Sequence, residues 1–144
     1  MKIHLLVRKI ANLSNSEISS LWELTMKCPN SLMRGQLDKH KKSKAIAIIA
    51  YSRNKMIGWG CISCSEVYLY VNPKFRKKGV GKQILFKAIK VFSYKRYNLN
   101  YKNFKVYRTH NHKFYEKTLK VDGWQELYET SKISLTKANN IVRV

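Results

Sequence analysis

Acidic side chains are scarce in this sequence. Its 144 residues include eight aspartates and glutamates against 29 lysines and arginines, which gives a formal net charge of +21. From the scaling of surface with mass, a folded chain of this size exposes about 7,700 Å², or one uncompensated positive charge per about 370 Å². Such a surface attracts phosphates, nucleic acid or acidic proteins, and it repels polycationic substrates.

Cysteines are few, and long apolar runs are missing. Cys28, Cys61 and Cys64 form neither an even disulfide framework nor a second Cys-x-x-Cys pair, which favours a reducing, cytoplasmic location. We expect Cys61 and Cys64 to be small buried hydrophobes. Residues 1–10 lack the apolar core of a signal peptide, and the run 45–51 is far shorter than the roughly 20 residues that span a bilayer. We therefore expect no membrane segment.

Hydrophobic residues make up 44% of the chain, as in an ordinary globular protein, and the length suits one domain over residues 1–144. Apolar patterns predict strands over 2–10, 44–53, 55–62, 66–71, 104–107, 125–127 and 132–135. A first helix is predicted between a cap at Asn15 or Ser16 and a stop at Pro29. Further helices are predicted over 31–40, 80–92 and 112–119, and the basic run 39–44 is predicted as a loop. This order predicts a mixed α/β sheet in which the strands on either side of the 80–92 helix run parallel.

The segment between the strand ending at Val71 and the helix beginning near Val80 carries the strongest chemical signal. Gly79 and Gly81 let the backbone turn its N–H groups outward, and the helix N-terminus adds its dipole, so the loop is suited to hold phosphate. Positive charge is reinforced by Arg76, Lys77, Lys78 and Lys82. A plain glycine turn with basic surface residues is the alternative.

Two common phosphate motifs do not match this segment. A Walker A loop needs glycine where Arg76 stands and serine or threonine where Gln83 stands. A dinucleotide-binding loop that starts at Gly79 needs a small residue at the position of Ile84.

The segment does resemble the signature of the GNAT superfamily of acyl-CoA-dependent N-acyltransferases. Residues 69–73 read Leu-Tyr-Val-Asn-Pro, residues 76–81 follow as Arg-x-x-Gly-x-Gly, and residues 114–117 read Phe-Tyr-Glu-Lys. The predicted order of elements from residue 2 to 135 is similar to that of the family as well. The resemblance implies a mixed, mostly antiparallel sheet with one splayed parallel pair, flanked by helices.

By this resemblance the chain is an acetyl-CoA-dependent N-acetyltransferase in which an amine attacks the thioester directly. The pyrophosphate of coenzyme A would be held by the backbone of Val80, Gly81 and Lys82, with Arg76, Lys77 and Lys78 near Gly79. The pantetheine arm and the thioester oxygen would pair with backbone groups of Tyr70 and Val71, in the gap between the splayed strands.

Tyr115 is the predicted catalytic acid, because a tyrosine in the last helix of the family's site commonly protonates the leaving thiolate. A thiol with a free pKa near 8.5 is already a fair leaving group, so an acid catalyst should raise the rate by no more than roughly 10²- to 10⁴-fold. The alternative is that Tyr115 fills the helix–sheet interface. The chain departs from the family pattern at Arg108 and Asn111, and its Gly123-Trp124 pair follows the tyrosine later than usual.

Glu66 is the predicted general base, because it opens the strand that leads to the acyl site. Its alternatives are an edge charge or a partner for a lysine. His110 or His112 is a second candidate base, acting through water. As a metal pair these histidines lack a nearby carboxylate or third ligand, so no metal is expected.

The charge of +21 disfavours polyamines and other cationic acceptors. It favours an amine on an acidic or nucleic-acid-associated macromolecule, namely an acidic protein or aminoacyl-tRNA. The alternative function is a catalytically reduced basic module that binds nucleic acid, because the cluster 95–105 and Tyr94, Tyr97 and Tyr101 suit stacking beside phosphate contacts. The intact Arg76 and glycines argue against that alternative. The oligomeric state, monomer or dimer, stays open.

Overall fold

The computed structural model describes residues 1–29, 31–120 and 124–142, with only the backbone described over 108–112. Within these residues seven strands form one sheet in the order β1-β2-β3-β4-β5-β7-β6. The strands are β1 (His4–Lys9), β2 (Ile46–Ser52), β3 (Lys55–Ser63), β4 (Glu66–Val71), β5 (Asn103–Tyr107), β6 (Gln125–Leu127) and β7 (Thr130–Ser134). The α-helices are α1 (Asn15–Leu24), α2 (Ser31–Asp38), α3 (Val80–Val91), α4 (Arg108–Leu119) and α5 (Leu135–Val142). The predicted mixed α/β fold is confirmed.

Strands β4 and β5 are the parallel pair of the sheet. Their register joins Glu66 to Lys105 and Val67 to Val106, at the beginning of β4. The amide of Lys105 also donates to the Ser65 carbonyl at 2.9 Å. Beyond these pairs β4 runs on to Val71, whereas β5 ends at Tyr107, so the last residues of β4 have no described pairing with β5. The splay that the resemblance implies stays a prediction. The other neighbouring strands are antiparallel.

The strand residues of β4 alternate between two hydrophobic cores. Val67 and Val71 face the core that contains the buried residues of α3, α4 and α5. Tyr68 and Tyr70 face the core that contains Leu21 and the buried residues of α2. This alternation follows from the period of two along a strand. Strand β4 therefore has one aliphatic face and one tyrosine face.

Helix α3 is seated on the sheet by a close contact at Gly60. A Cβ added at Gly60 would lie 2.6 Å from Cγ2 of Ile84, so the glycine lets the helix approach β3. The buried side of the helix is formed by Val80, Ile84, Leu85, Ala88, Ile89 and Val91. This seat places the N-terminus of α3 beside the end of β4.

Some local sequence predictions are wrong. The α1 cap is Ser14, not Asn15 or Ser16, because its side chain accepts from the Glu17 amide at 3.1 Å while the Glu17 carboxylate accepts from the Ser14 amide at 2.8 Å. The same backbone hydrogen bond lowers the pKa of Glu17. Cys64 is exposed, whereas Cys61 is buried as expected, and burial raises the pKa of the Cys61 thiol to about 12.

Other differences concern element boundaries. Helix α4 begins at Arg108, four residues before its predicted start, and β7 begins at Thr130 and ends at Ser134. The run 39–44 contains a short 3-10 helix over His40–Lys42. Helix α5 was not predicted. Among the described residues, no helix is long and apolar enough to cross a membrane.

Candidate functional site

A cavity of about 930 Å³ lies beside the second half of β4, beyond its pairing with β5. Its walls come from the end of β4, the loop into α3, the first turn of α3 and the side of α4. It is lined by most of the predicted site residues, namely Tyr70, Val71, Arg76, Lys77, Gly79, Val80, Gly81, Lys82 and Tyr115. The fold therefore brings together residues that lie up to 45 positions apart in the sequence.

The N-terminus of α3 exposes its backbone to this cavity. Gly79 is the cap, with φ at +83°, and a Cβ added there would meet no atom within 4 Å. The first bond of the helix joins the Gln83 amide to the Gly79 carbonyl at 3.1 Å. The amides of Val80, Gly81 and Lys82 precede that bond, so by helix geometry they point out of the helix end. Such an end attracts anions.

Cations surround the helix start on two sides. Lys77 and Lys82 line the cavity from the α3 side, and Lys117 and Lys120 line it from α4. Lys78 is not among the described lining residues, and its Nζ lies 6.0 Å from the centroid of the Phe75 ring. The cavity wall therefore combines helix amides with lysine side chains, a donor set suited to phosphate.

Gly81 has a packing role that the sequence reading did not identify. A Cβ at this position would lie 3.3 Å from both Cε1 and Cζ of Phe114 and 3.8 Å from Cδ1 of Leu69. The glycine therefore lets the Phe114 ring of α4 rest on the first turn of α3. Because Tyr115 follows Phe114 directly, this contact also positions the predicted catalytic tyrosine.

Arg76 fixes the end of β4. Its Nε donates to the Val71 carbonyl at 2.9 Å, and its Cζ lies 5.2 Å from the centroid of the Tyr70 ring. One guanidinium thus satisfies a carbonyl and covers an aromatic face, which a lysine cannot do in the same way. Arg76 lines the cavity, but its contacts also set the backbone course of the strand end.

Tyr115 lines the cavity while only 3% of its surface is exposed. Its ring meets Phe114 edge to face, with centroids 5.2 Å apart. Burial raises the pKa of the Tyr115 hydroxyl above its ordinary value of 10.0. The side chain is therefore neutral at physiological pH and holds a proton at the cavity wall.

Glu66 reaches the cavity only through Tyr68. The Tyr68 hydroxyl donates to Oε2 of Glu66, and Tyr68 lines the cavity, whereas Glu66 is not among the described lining residues. Burial first, and the Glu66 carboxylate second, raise the pKa of Tyr68. Sequence reasoning missed Tyr68. Its signal was the position two residues after Glu66, on the same face of the strand.

Tyr68, Tyr107, Cys28 and Pro29 also line the cavity. The rings of Tyr68 and Tyr107 have centroids 6.2 Å apart, and the Tyr107 hydroxyl donates to Oε2 of Glu129 at 2.7 Å. Two of the eight acidic residues of the chain are thus hydrogen bonded to tyrosines that line the cavity. The cavity wall therefore contains both lysines and tyrosine–carboxylate pairs.

Several predicted positions lie outside what the structure describes. The side chains of His110 and His112, the second pair of candidate bases, belong to the backbone-only segment, as do Arg108 and Asn111. Gly123 falls in the gap before Trp124.

Comparison with known families matches residues 43–118 to the acetyltransferase (GNAT) domain. Comparison with curated protein sequences finds no match. Solved structures with a similar fold include an acyl-CoA N-acyltransferase from Pseudomonas aeruginosa, with a TM-score of 0.61 at 15% identity over 92% of this chain and 97% of that one.

Two further similar structures contain a bound cofactor. The PaiA N-acetyltransferase from Thermoplasma acidophilum, in complex with coenzyme A, has a TM-score of 0.58 at 18% identity over 93% of this chain and 98% of that one. The N-acetyltransferase PseH from Campylobacter jejuni, in complex with acetyl coenzyme A, has a TM-score of 0.56 at 19% identity over 91% and 97%. The domain match spans more than half of the 144 residues and agrees with the fold, and the chain therefore belongs to the GNAT acetyltransferase family.

Proposed function

We propose that this protein is an acetyl-CoA-dependent N-acetyltransferase in which the acceptor amine attacks the thioester directly. The observation that carries the proposal is the single cavity that joins the N-terminus of α3 to Tyr115 and Tyr68. Similar structures hold coenzyme A or acetyl coenzyme A, which supports the same donor here.

The residues at the helix start fit a pyrophosphate. Gly79 presents no side chain where a Cβ would face open space, and the amides of the first helical turn lie beside lysines on two elements. Val80, Gly81 and Lys82 would hold the pyrophosphate, with Arg76, Lys77 and Lys78 adding charge. Backbone groups of Tyr70 and Val71, held in place by Arg76, would orient the pantetheine arm.

When bound, acetyl-CoA supplies an acyl group activated as a thioester. Tyr115 holds a proton at its hydroxyl and offers it as a hydrogen bond to the departing sulfur. The buried position of Tyr115 keeps that proton in place at neutral pH and excludes water from one side of the reaction. Backbone amides at the end of β4 stabilise negative charge on the reacting oxygen.

Glu66 acts as the base through Tyr68. The attacking amine must be uncharged, so its proton has to leave before or during attack. The Tyr68 hydroxyl can accept that proton from the amine while it passes its own to Oε2 of Glu66. This short relay explains how a carboxylate that does not line the cavity can serve the reaction.

The acceptor enters beside Tyr68 and Tyr107, which line the cavity with their rings close together. Glu66 and Glu129 attract an ammonium group locally, while the net charge of +21 attracts an acceptor whose body is anionic. The best substrate class is therefore an amine carried by an acidic protein or by aminoacyl-tRNA.

The test has a donor part and an acceptor part. Calorimetry should show that Lys82→Glu weakens acetyl-CoA binding by about 10-fold or more, since a lost charge-assisted contact costs about 1.5–3 kcal/mol. Lys90→Glu is the matched control, because Lys90 lies exposed at the other end of the same helix. This variant should bind acetyl-CoA as tightly as the wild type. Equal affinity for the two variants would remove the helix start from the donor site.

The acceptor part uses labelled acetyl-CoA, the purified protein and a cell lysate. Label should appear in the protein or the RNA fraction and should fall with Tyr115→Phe. Label confined to small molecules would contradict the macromolecular acceptor. A protein that binds acetyl-CoA and transfers no label to any fraction would contradict the enzymatic proposal and favour the non-catalytic module.

A further inference from the structure

A second chemical surface lies beyond the C-terminus of α3, around Arg96. The chain there turns through a short 3-10 helix over Lys95–Tyr97, capped by Tyr94 and Asn98. The Cζ of Arg96 lies 5.2 Å from the centroid of the Tyr94 ring and 5.1 Å from that of Tyr97. The two rings are nearly parallel, at 23°, with centroids 6.3 Å apart. We call Tyr94, Arg96 and Tyr97 the Arg96 stack.

The Arg96 stack is held rigidly against the sheet. The Tyr97 hydroxyl donates to the Val7 carbonyl of β1 at 3.3 Å, and the Tyr94 amide donates to the Val91 carbonyl of α3 at 3.0 Å. Both tyrosines also pack partly against the core. Arg96 itself is exposed, so a ligand in solvent can reach an arginine that already lies close to both aromatic rings. A preordered arginine loses little side-chain entropy when it binds.

Lysines surround the Arg96 stack without acidic neighbours in the sequence. Lys87 lies with its Nζ 5.8 Å from the Tyr94 centroid, and Lys90 and Lys95 are exposed. Lys9 is also exposed and follows Val7 by two residues on β1, hence on the same face of the sheet. Between Glu66 and Glu116 the sequence has thirteen lysines and arginines and no acid. This stretch of the chain therefore brings only positive charge to the Arg96 stack.

This surface is remote from the proposed donor site. The helix α3 has 12 residues and is therefore about 18 Å long, with the Gly79 end at the cavity and the Arg96 stack past the other end. The stack also contacts β1 at the edge of the sheet, three strands from β4. The acetyl-CoA site does not account for it.

We propose that the Arg96 stack and its lysines bind single-stranded nucleic acid, with Arg96 stacking on an unpaired base and the lysines contacting phosphates. Stacking planes beside a cationic track are the arrangement by which proteins bind single strands without reading sequence. A duplex hides its base faces, so the stack favours unpaired bases. An acidic protein would pair its carboxylates with the lysines and with the edge of the guanidinium, but carboxylates offer no flat face on which the guanidinium plane can stack. The surface thus adds a nucleic-acid contact to the proposed acetyltransferase.

Fluorescence anisotropy of the full chain with a labelled single-stranded RNA of about 12 nucleotides tests this proposal. With about four phosphate contacts, the logarithm of the binding constant should fall against the logarithm of salt with a slope of about −3. Lys95→Ala with Arg96→Ala should weaken binding by about 10-fold and make that slope shallower by about 0.7, because Lys95 contacts a phosphate whereas Arg96 contacts a base. The control pair is Lys41→Ala with Lys42→Ala, which changes the charge equally and also lies exposed on a 3-10 helix. The control should weaken binding less than about 2-fold.

Equal weakening by the two pairs would overturn the proposal, since the general field of the protein would then explain binding. Arg96→Lys keeps the charge, and it should weaken binding severalfold with the same salt slope; an unchanged affinity would remove the stacking contact. Poly-glutamate that competes as well as RNA at equal charge concentration would assign the surface to an acidic protein instead. Saturating coenzyme A should leave RNA affinity unchanged, and displacement of the RNA would place its contact at the α3 N-terminus.

Discussion

Tyr115→Phe is the most informative substitution in the proposed site. Burial holds the pKa of Tyr115 above 10.0, whereas a free thiol titrates near 8.5. Complete proton transfer from this tyrosine to the leaving sulfur is therefore uphill by more than about 1.5 pKa units, or about 2 kcal/mol. The hydroxyl contributes mainly as a hydrogen-bond donor to a charged acceptor, which is worth about 1.5–3 kcal/mol. We expect kcat to fall by about 10- to 100-fold.

Steady-state kinetics and calorimetry together check this expectation. The acetyl-CoA Kd should stay within about 2-fold of the wild type, because the hydroxyl is not among the groups that hold the pyrophosphate. Tyr128→Phe is the control, since Tyr128 is 91% exposed on the turn before β7 and should leave both quantities unchanged. A full rate for Tyr115→Phe, or a loss of affinity as large as the loss of rate, would refute the reasoning.

The same pKa shift has a consequence for stability against pH. A group whose pKa is raised in the folded protein binds its proton more tightly there than in the unfolded chain. Its stabilising effect is complete below the unfolded value near 10 and is lost as pH rises through the folded value. The free energy of unfolding of the wild type should therefore decline above pH 10, and Tyr115→Phe should decline less steeply in urea titrations.

Two other substitutions test the relay and the seat of α3. Glu66→Gln and Tyr68→Phe should each lower kcat by about 10²-fold. The kcat of the double variant should be no lower, because both residues belong to one proton path. Additive losses in the double-mutant cycle would show that the two residues act independently. Gly60→Ala should lower the free energy of unfolding by about 1–3 kcal/mol in urea denaturation, because its Cβ overlaps Ile84. Gly35→Ala in α2, where a Cβ meets nothing within 4 Å, should instead gain about 0.5–1 kcal/mol.

The sequence predicted the parts of this molecule that depend on local chemistry. The strand over Glu66–Val71 and the start of α3 at Val80 were both predicted at the residues where they occur, because Pro73 and Gly79 punctuate the chain between them. The family was identified from the same segment. Helix α5 was missed because Leu135 reads as the end of a strand, and its amide does bond to the Lys102 carbonyl at 2.9 Å.

The contacts that shape the site are non-local, and so they were not predictable from one sequence. Phe114 rests on Gly81 only because two helices from distant segments converge. The ring of Tyr68 on β4 lies close to the ring of Tyr107 on β5, although the two residues are 39 positions apart in the chain. A pattern of residue types shows that a strand has a tyrosine face. It does not show what lies opposite that face.

The limited pairing between β4 and β5 means that the sheet itself does little to set the width of the cavity. Only two described residue pairs, at the beginning of β4, join the two halves of the sheet. The width of the cavity is then set by helix packing. Helix α3 packs on β3 where Ile84 meets Gly60, and α4 packs on α3 where Phe114 meets Gly81. A methyl group added where Gly60 meets Ile84 would therefore change the width of the cavity, although neither residue is among the described ones that line it.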